Sequence, residues 1–77
     1  MNMARIAFRM TLTAKEDNSS EWIADVSCVA DALILMRSYS FDDRMCRREG
    51  DIYEDVTFFD AEGNSMQVKK VILEDAE

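Results

Sequence analysis

The 77-residue sequence contains no histidine, no proline, and only two glycines and two cysteines. Without histidine, the chain lacks both the usual base that activates a serine or cysteine nucleophile and the mixed cysteine and histidine sets of structural zinc sites. With only Gly50 and Gly63, it cannot form a glycine-rich loop that cradles phosphate. The sequence therefore predicts neither a metal nor a cofactor. It also contains no proline that would interrupt a strand.

The chain length predicts a single domain over residues 1–77, because so short a chain cannot bury enough surface for two cores. The first ten residues lack the apolar run and cleavage site of a signal peptide, which predicts a reducing, cytoplasmic setting. There we expect Cys28 and Cys46 to be unpaired and buried, while a disulfide between them stays open as an alternative. No apolar run approaches the about 18 residues of a membrane span, so we expect no membrane contact.

Charge is unevenly distributed along the chain. The formal net charge is −7, and residues 49–62 carry six acids and no base. Affinity for nucleic-acid phosphates comes mainly from lysine and arginine, so this balance argues against direct nucleic-acid binding. It favours a basic protein as the partner.

Two segments show strand patterns. Residues 3–13 alternate with a period of two, which places Ile6, Phe8, Met10 and Leu12 on one face of a half-buried strand. Residues 51–59 and 65–73 predict a hairpin, because the connection 60–64 has Asp at its start and Gly where a positive φ is needed.

The middle of the chain predicts helices, with one ambiguity. From residue 22 to residue 36 apolar side chains recur at intervals of three and four, and we prefer a helix there with Ser20 as its N-cap. In the alternative, residues 22–28 form a strand paired with the first one, and the helix begins near Ala30. Residues 40–50 predict a second, short helix, since acids follow Ser40, arginines come next and Gly50 ends the run. Phe41 and Met45 would face inward.

These segments together predict an α+β fold. We expect a small antiparallel sheet of three or four strands packed against one or two helices. The element order would be β-α-α-β-β, or ββαββ if residues 22–28 form a strand. On the first strand of the hairpin, the face toward the core would carry Ile52, Glu54, Val56 and Phe58, and the opposite face would be exposed.

That exposed face supplies the candidate site. Asp51, Tyr53, Asp55, Thr57 and Phe59 would share it, with two carboxylates about 6.6 Å apart along the strand. Carboxylates at this pitch resemble a run of nucleic-acid phosphates in charge and roughly in spacing, and exposed Tyr and Phe side chains would add anchors. The residues expected to bind a partner are Glu49, Asp51, Tyr53, Asp55, Asp60 and Glu62.

We therefore predict a small acidic inhibitor that is not an enzyme. It would bind a basic protein, such as a nucleic-acid-binding effector complex, by mimicking nucleic acid. Phage-encoded anti-CRISPR and anti-restriction proteins share this size and charge, as would an antitoxin, although no motif assigns the chain to them. The alternative is a self-associating adaptor, a homodimer, which the apolar residues of segments 22–36 and 71–73 would support. An enzyme would need an acid pair from among Asp42, Asp43 and Glu54, or a thiolate at Cys46 beside Arg47.

Overall fold

A computed structural model describes residues 3–75 of the chain. It contains one antiparallel sheet of five strands, in the order β2-β1-β5-β4-β3, with one helix on one face. The α+β class is confirmed, with five strands in place of three or four and one helix. In chain order the elements are β1 Met3–Thr13, β2 Ser20–Val26, α1 Val29–Arg37, β3 Arg47–Asp51, β4 Asp55–Phe59 and β5 Ser65–Asp75.

The two longest strands form the centre of the sheet. β1 and β5 pair along eleven residues each, from Met3 opposite Asp75 to Thr13 opposite Ser65. β1 covers the range that its alternation predicts. Of its expected core residues, Phe8 and Met10 are buried and Leu12 is partly buried, whereas Ile6 is 51% exposed.

β2 replaces the first half of the preferred helix. Residues 20–26 pair with β1, and the helix begins only at Val29 after an extended Cys28. The helix over 21–28 was therefore wrong, and the alternative strand is confirmed. Trp22 shows why the spacing misleads: it is 64% exposed and faces away from α1, so its place in the apolar stripe with Val29 is coincidental.

The second helix, over residues 40–50, is absent from the described chain. The side chain of Asp42 accepts the backbone N–H of Arg44 at 3.0 Å, and this local turn competes with helix formation. Met45, expected inside, is 83% exposed, while Phe41 is buried as predicted. Residues 47–51 instead form β3, the edge strand that pairs with β4.

The predicted hairpin of residues 51–59 and 65–73 is confirmed at its loop and wrong at its start. The loop 60–64 joins β4 to β5 as predicted, with Gly63 at φ 87°. The strand expected to begin at residue 51 begins at Asp55, because residues 52–54 form the turn between β3 and β4. β3 requires a glycine at position 50, where φ is 98° and a Cβ would lie 2.2 Å from the backbone oxygen of Asp55.

The core lies between α1 and the sheet. Ala32 and Met36 of α1 share one buried cluster with apolar side chains of β1, β4 and β5, and α1 itself lies against β1, β2 and β5. Because the helix lies on this face alone, the opposite face of the sheet carries no covering element among residues 3–75. The other buried core residues are Phe8, Met10, Phe41, Val56, Phe58, Met66 and Val68.

One end of the central pair projects past its neighbours. β2 pairs with β1 only as far as Phe8, and β4 pairs with β5 only as far as Lys69. Residues 3–7 and 71–75 therefore form a two-stranded ribbon, called the arm below. Within residues 3–75 no helix is long and apolar enough to cross a membrane.

Candidate protein-binding surface

The turn between β3 and β4 brings together four of the six residues that were expected to bind a partner. These are Glu49, Asp51, Tyr53 and Asp55, called the hairpin tip below. All four side chains are exposed. Asp51 and Asp55 lie directly opposite each other in the antiparallel register. Since Val56 points into the core and Gly50 lies opposite it, alternation directs both carboxylates to the face away from α1.

The three carboxylates of the hairpin tip have different partners. Glu49 forms an ion pair with Arg47 on the same strand. Asp51 accepts the backbone N–H of Tyr53 at 2.9 Å, and Asp55 accepts the side-chain amide of Gln67, also at 2.9 Å. Uncharged donors thus hold Asp51 and Asp55 in place without neutralising them.

Tyr53 does not lie on the strand face where the sequence analysis expected it. It is in the turn between the two aspartates, 68% exposed, and lines a groove on the α1 side. The groove has a volume of about 450 Å³ and is lined by Phe8, Cys28, Val29, Ala30, Leu33, Ile52 and Tyr53. The tip therefore offers an acidic pair on one side of the sheet and an aromatic side chain beside an apolar groove on the other.

Phe59 shares the sheet face of Asp55 as expected, yet it is not an open anchor. The guanidinium of Arg47 lies over its ring, 4.1 Å from the ring centroid. This cation–π contact covers the ring, so Tyr53 is the exposed aromatic residue of this hairpin.

Asp60 and Glu62 do not join the hairpin tip. They lie in the β4–β5 loop, about 17 Å from Asp55 at the spacing of a strand. Asp60 accepts the backbone N–H of Glu62 at 3.0 Å and that of Asn64 at 2.9 Å, so its carboxylate organises the loop. The single acidic surface expected from the sequence is therefore divided between two ends of the hairpin.

A row of charges crosses all five strands on the face away from α1. From one edge of the sheet to the other it contains Asp25, Arg9, Lys69, Asp55 and Asp51. Lys69 thus lies beside Asp55 and reduces the net negative charge at the tip. Sequence reasoning missed this row because it depends on the strand order, although pairing the alternations of residues 3–13 and 65–75 would have aligned Arg9 with Lys69.

The β2 end of this row is a closed cluster. Arg9 donates two hydrogen bonds to Asp25, each of 2.9 Å, and the indole N–H of Trp22 donates a third at 3.2 Å. The hydrogen bonds from Arg9 lower the pKa of Asp25. Asp25 is thereby neutralised, which leaves Asp51 and Asp55 as the acids of the row without an ion pair of their own.

The residues considered for catalysis are engaged elsewhere. Asp42 and Asp43 pair with Arg44 and Arg37, and the hydrogen bond from the Arg44 side chain lowers the pKa of Asp42 to about 2. Burial raises the pKa of the Cys46 thiol, and the nearby carboxylates raise it further. The thiolate activated by Arg47 is therefore not supported.

The two cysteines are free, which answers the open question of a disulfide. Cys46 is partly buried, but Cys28 is exposed, so the expectation that both are buried was wrong for Cys28. Among residues 3–75 no three cysteine or acidic side chains are placed to hold a metal ion together. Comparison of the chain with protein-family models, curated proteins and solved structures finds no match.

Proposed function

We propose that the chain is a non-enzymatic inhibitor that binds a basic protein through its hairpin tip. The observation that carries this proposal is the opposed pair of Asp51 and Asp55, exposed and held by uncharged donors at the end of a hairpin. Like charges directly opposite each other in a sheet cost stability. A partner that supplies positive charge would remove that cost on binding.

The partner we infer is one whose basic site normally holds nucleic acid. Glu49 and Asp51 lie two residues apart on one face of β3, about 6.8 Å along the strand, and Asp55 faces Asp51 across the hairpin. Because Glu49 is paired with Arg47, Asp51 and Asp55 carry the uncompensated charge of this cluster, on a chain of net charge −7. Such a cluster would attract a groove lined by lysine and arginine, raising the association rate most strongly at low salt.

Tyr53 would add an apolar contact to this electrostatic one. Large aromatic side chains are enriched among the residues that contribute most to protein interfaces. Tyr53 is exposed at the turn between the two aspartates but on the opposite side of the sheet, so a partner would contact both by enclosing the end of the hairpin. Asp60 and Glu62 belong to the proposal only as contributors to the overall field, because they lie at the far end of the hairpin.

A capture experiment with charge-reversed variants tests the proposal. The tagged chain is immobilised, exposed to lysate from its native host or from cells that carry nucleic-acid-targeting defence systems, and washed at about 0.1 M and about 0.5 M salt. We expect the wild type to retain a basic nucleic-acid-handling protein at the lower salt and to lose it at the higher.

The variant Asp51→Lys/Asp55→Lys should not retain that protein. The matched control Glu16→Lys/Glu21→Lys makes the same charge change on exposed residues of the β1–β2 side and should retain it. Equal loss from both variants would show that only net charge matters. Recovery of the chain alone at both salt concentrations would contradict the proposed function.

A further inference from the structure

The arm leaves an apolar face uncovered on the α1 side of the sheet. Ile6 and Ile72 lie opposite each other there and are 51% and 69% exposed. Along the strands, the pair Phe8 and Lys70 comes next in the direction of α1. The pair Ala4 and Glu74 comes next in the direction of the free end of the arm. The helix packs on the sheet farther along, over Met10, Val68 and their neighbours, so the two isoleucines stay in contact with solvent.

This face carries one positive and one negative charge at equal distances on either side of its apolar centre. On β5, Lys70, Ile72 and Glu74 are alternate residues and share the face, each about 6.8 Å from the next. Reversing the strand direction exchanges the positive end for the negative end and leaves the isoleucine in place. The pattern is therefore complementary to itself in an antiparallel arrangement.

We propose that this face of the arm binds a second copy of the chain about a two-fold axis through the row of Ile6 and Ile72. Each Ile72 would then pack on Ile72 of the partner subunit, and each Lys70 would face Glu74 of the partner subunit. In a two-fold interface, a contact between two different residues occurs twice, so two such ion pairs flank the apolar centre.

The position of α1 selects the same arrangement. Facing sheets pack about 10 Å apart, a gap that an α-helix lying on the sheet would fill. If two arms met in parallel, α1 of one copy would collide with α1 of the other. In the antiparallel arrangement the two helices lie at opposite ends, and the tip of each arm approaches the groove beside Tyr53.

The outer strand at the other side of the molecule shows how this sequence protects an edge. β3 consists of two arginines, two acids and a glycine, all exposed, which is the usual way to prevent association. The face of the arm has no charge at its centre, where Ile6 and Ile72 lie opposite each other. This face measures about 17 Å by 10 Å, far less than a stable interface requires, so we expect a weak dimer that dissociates at roughly 0.1 to 1 mM.

A charge-swap experiment tests the dimer. Sedimentation velocity from about 1 µM to about 1 mM protein should show a reversible monomer–dimer equilibrium for the wild type. Lys70→Glu and Glu74→Lys should each weaken the dimer about tenfold, because each variant opposes like charges at two contacts. Mixing these two variants should restore association, since every facing pair is then of opposite sign.

Three controls separate this interface from other effects. Lys70 also contacts Glu54 at 3.5 Å, so Glu54→Gln removes that ion pair and should leave dimerisation unchanged. Ile72→Ser should abolish dimerisation, whereas Ile34→Ser, at an exposed position of α1, should not. Circular dichroism confirms that each variant is folded.

The result that overturns the proposal is a wild type that stays monomeric throughout this concentration range, or a mixture of the two charge variants that associates no better than either alone. The variant Asp51→Lys/Asp55→Lys leaves the arm intact and should dimerise normally. Failure of the dimer and failure of the proposed inhibitor function are thus observed in separate experiments.

Discussion

Replacing Asp51 by asparagine should stabilise the fold, although it removes a residue that we assign to binding. Asp51 faces Asp55 directly across the end of the β3–β4 hairpin. Its side-chain oxygen accepts the backbone N–H of Tyr53, and an asparagine oxygen can accept the same hydrogen bond. The substitution therefore removes the negative charge and keeps the local turn.

The magnitude follows from the spacing of opposed residues. Directly opposite Cβ atoms lie about 5 Å apart, which places the two carboxylates roughly 6 Å apart. Two like charges at this separation in water repel by about 0.7 kcal/mol, and screening at low salt reduces this to about 0.5 kcal/mol. For a chain of this size, Asp51→Asn should raise the Tm by about 2 to 4 °C.

Thermal unfolding followed by circular dichroism measures this shift. The gain should be largest at about 0.02 M salt and should shrink at about 0.5 M, because salt screens exposed charges. Asp31→Asn is the matched control, since it removes an exposed acid from the first turn of α1, where negative charge stabilises a helix, and should lower the Tm. A lower Tm for Asp51→Asn, or a shift that does not depend on salt, would refute the opposed-charge geometry.

Three further variants test the fold. Gly50→Ala should destabilise it by about 2 kcal/mol or more in chemical denaturation, because φ is positive at this position and the new Cβ would meet the backbone of β4. Phe58→Ala should cost about 3 to 5 kcal/mol in the same assay, since Phe58 is fully buried. Asp25→Asn should lower stability at neutral pH and match the wild type in strong acid. The pKa of Asp25 is lowered in the folded state, so its contribution to stability is present above about pH 4 and is lost as the pH falls through that lowered pKa. If the stability difference between the wild type and Asp25→Asn did not change across this pH range, the pairing with Arg9 would be contradicted.

The central part of the fold is predictable from local patterns. β1 alternates because Phe8, Met10 and Leu12 on one of its faces pack in the core, and burial leaves that signature in the sequence. The β4–β5 loop is equally predictable, since the Asp60 carboxylate accepts a backbone N–H within the loop and Gly63 adopts the positive φ that the loop needs. In both places the pattern within one segment of the sequence is enough to predict the element.

The remaining elements depend on contacts that the sequence does not display. The run from Trp22 to Met36 joins a strand and a helix whose apolar residues happen to continue one spacing. β3 is an edge strand with all its side chains exposed, so it has no hydrophobic pattern at all, and its two arginines resemble the end of a helix. Only the pairing with β4 makes it a strand.

The sequence analysis named four residues that lie near one another in the structure, but it placed most of them on one strand face, which was wrong. Glu49, Asp51, Tyr53 and Asp55 do come together, but through a turn at residues 52–54 that the strand pattern concealed. Asp60 lies apart from this group because the length of β4 separates it from Asp55. Lys69 borders the site from the neighbouring strand of the predicted hairpin, whereas Arg9 and Asp25 lie on strands whose position required the sheet order to be known.

Competition with nucleic acid tests the central claim most directly. The basic protein captured by the chain is purified, loaded with a labelled oligonucleotide, and titrated with the wild type or with Asp51→Asn/Asp55→Asn. We predict that the wild type displaces the oligonucleotide, with a potency that falls as salt rises, and that the double variant displaces it at least tenfold less well. A ternary complex in which the oligonucleotide and the wild-type chain are bound together would contradict the account.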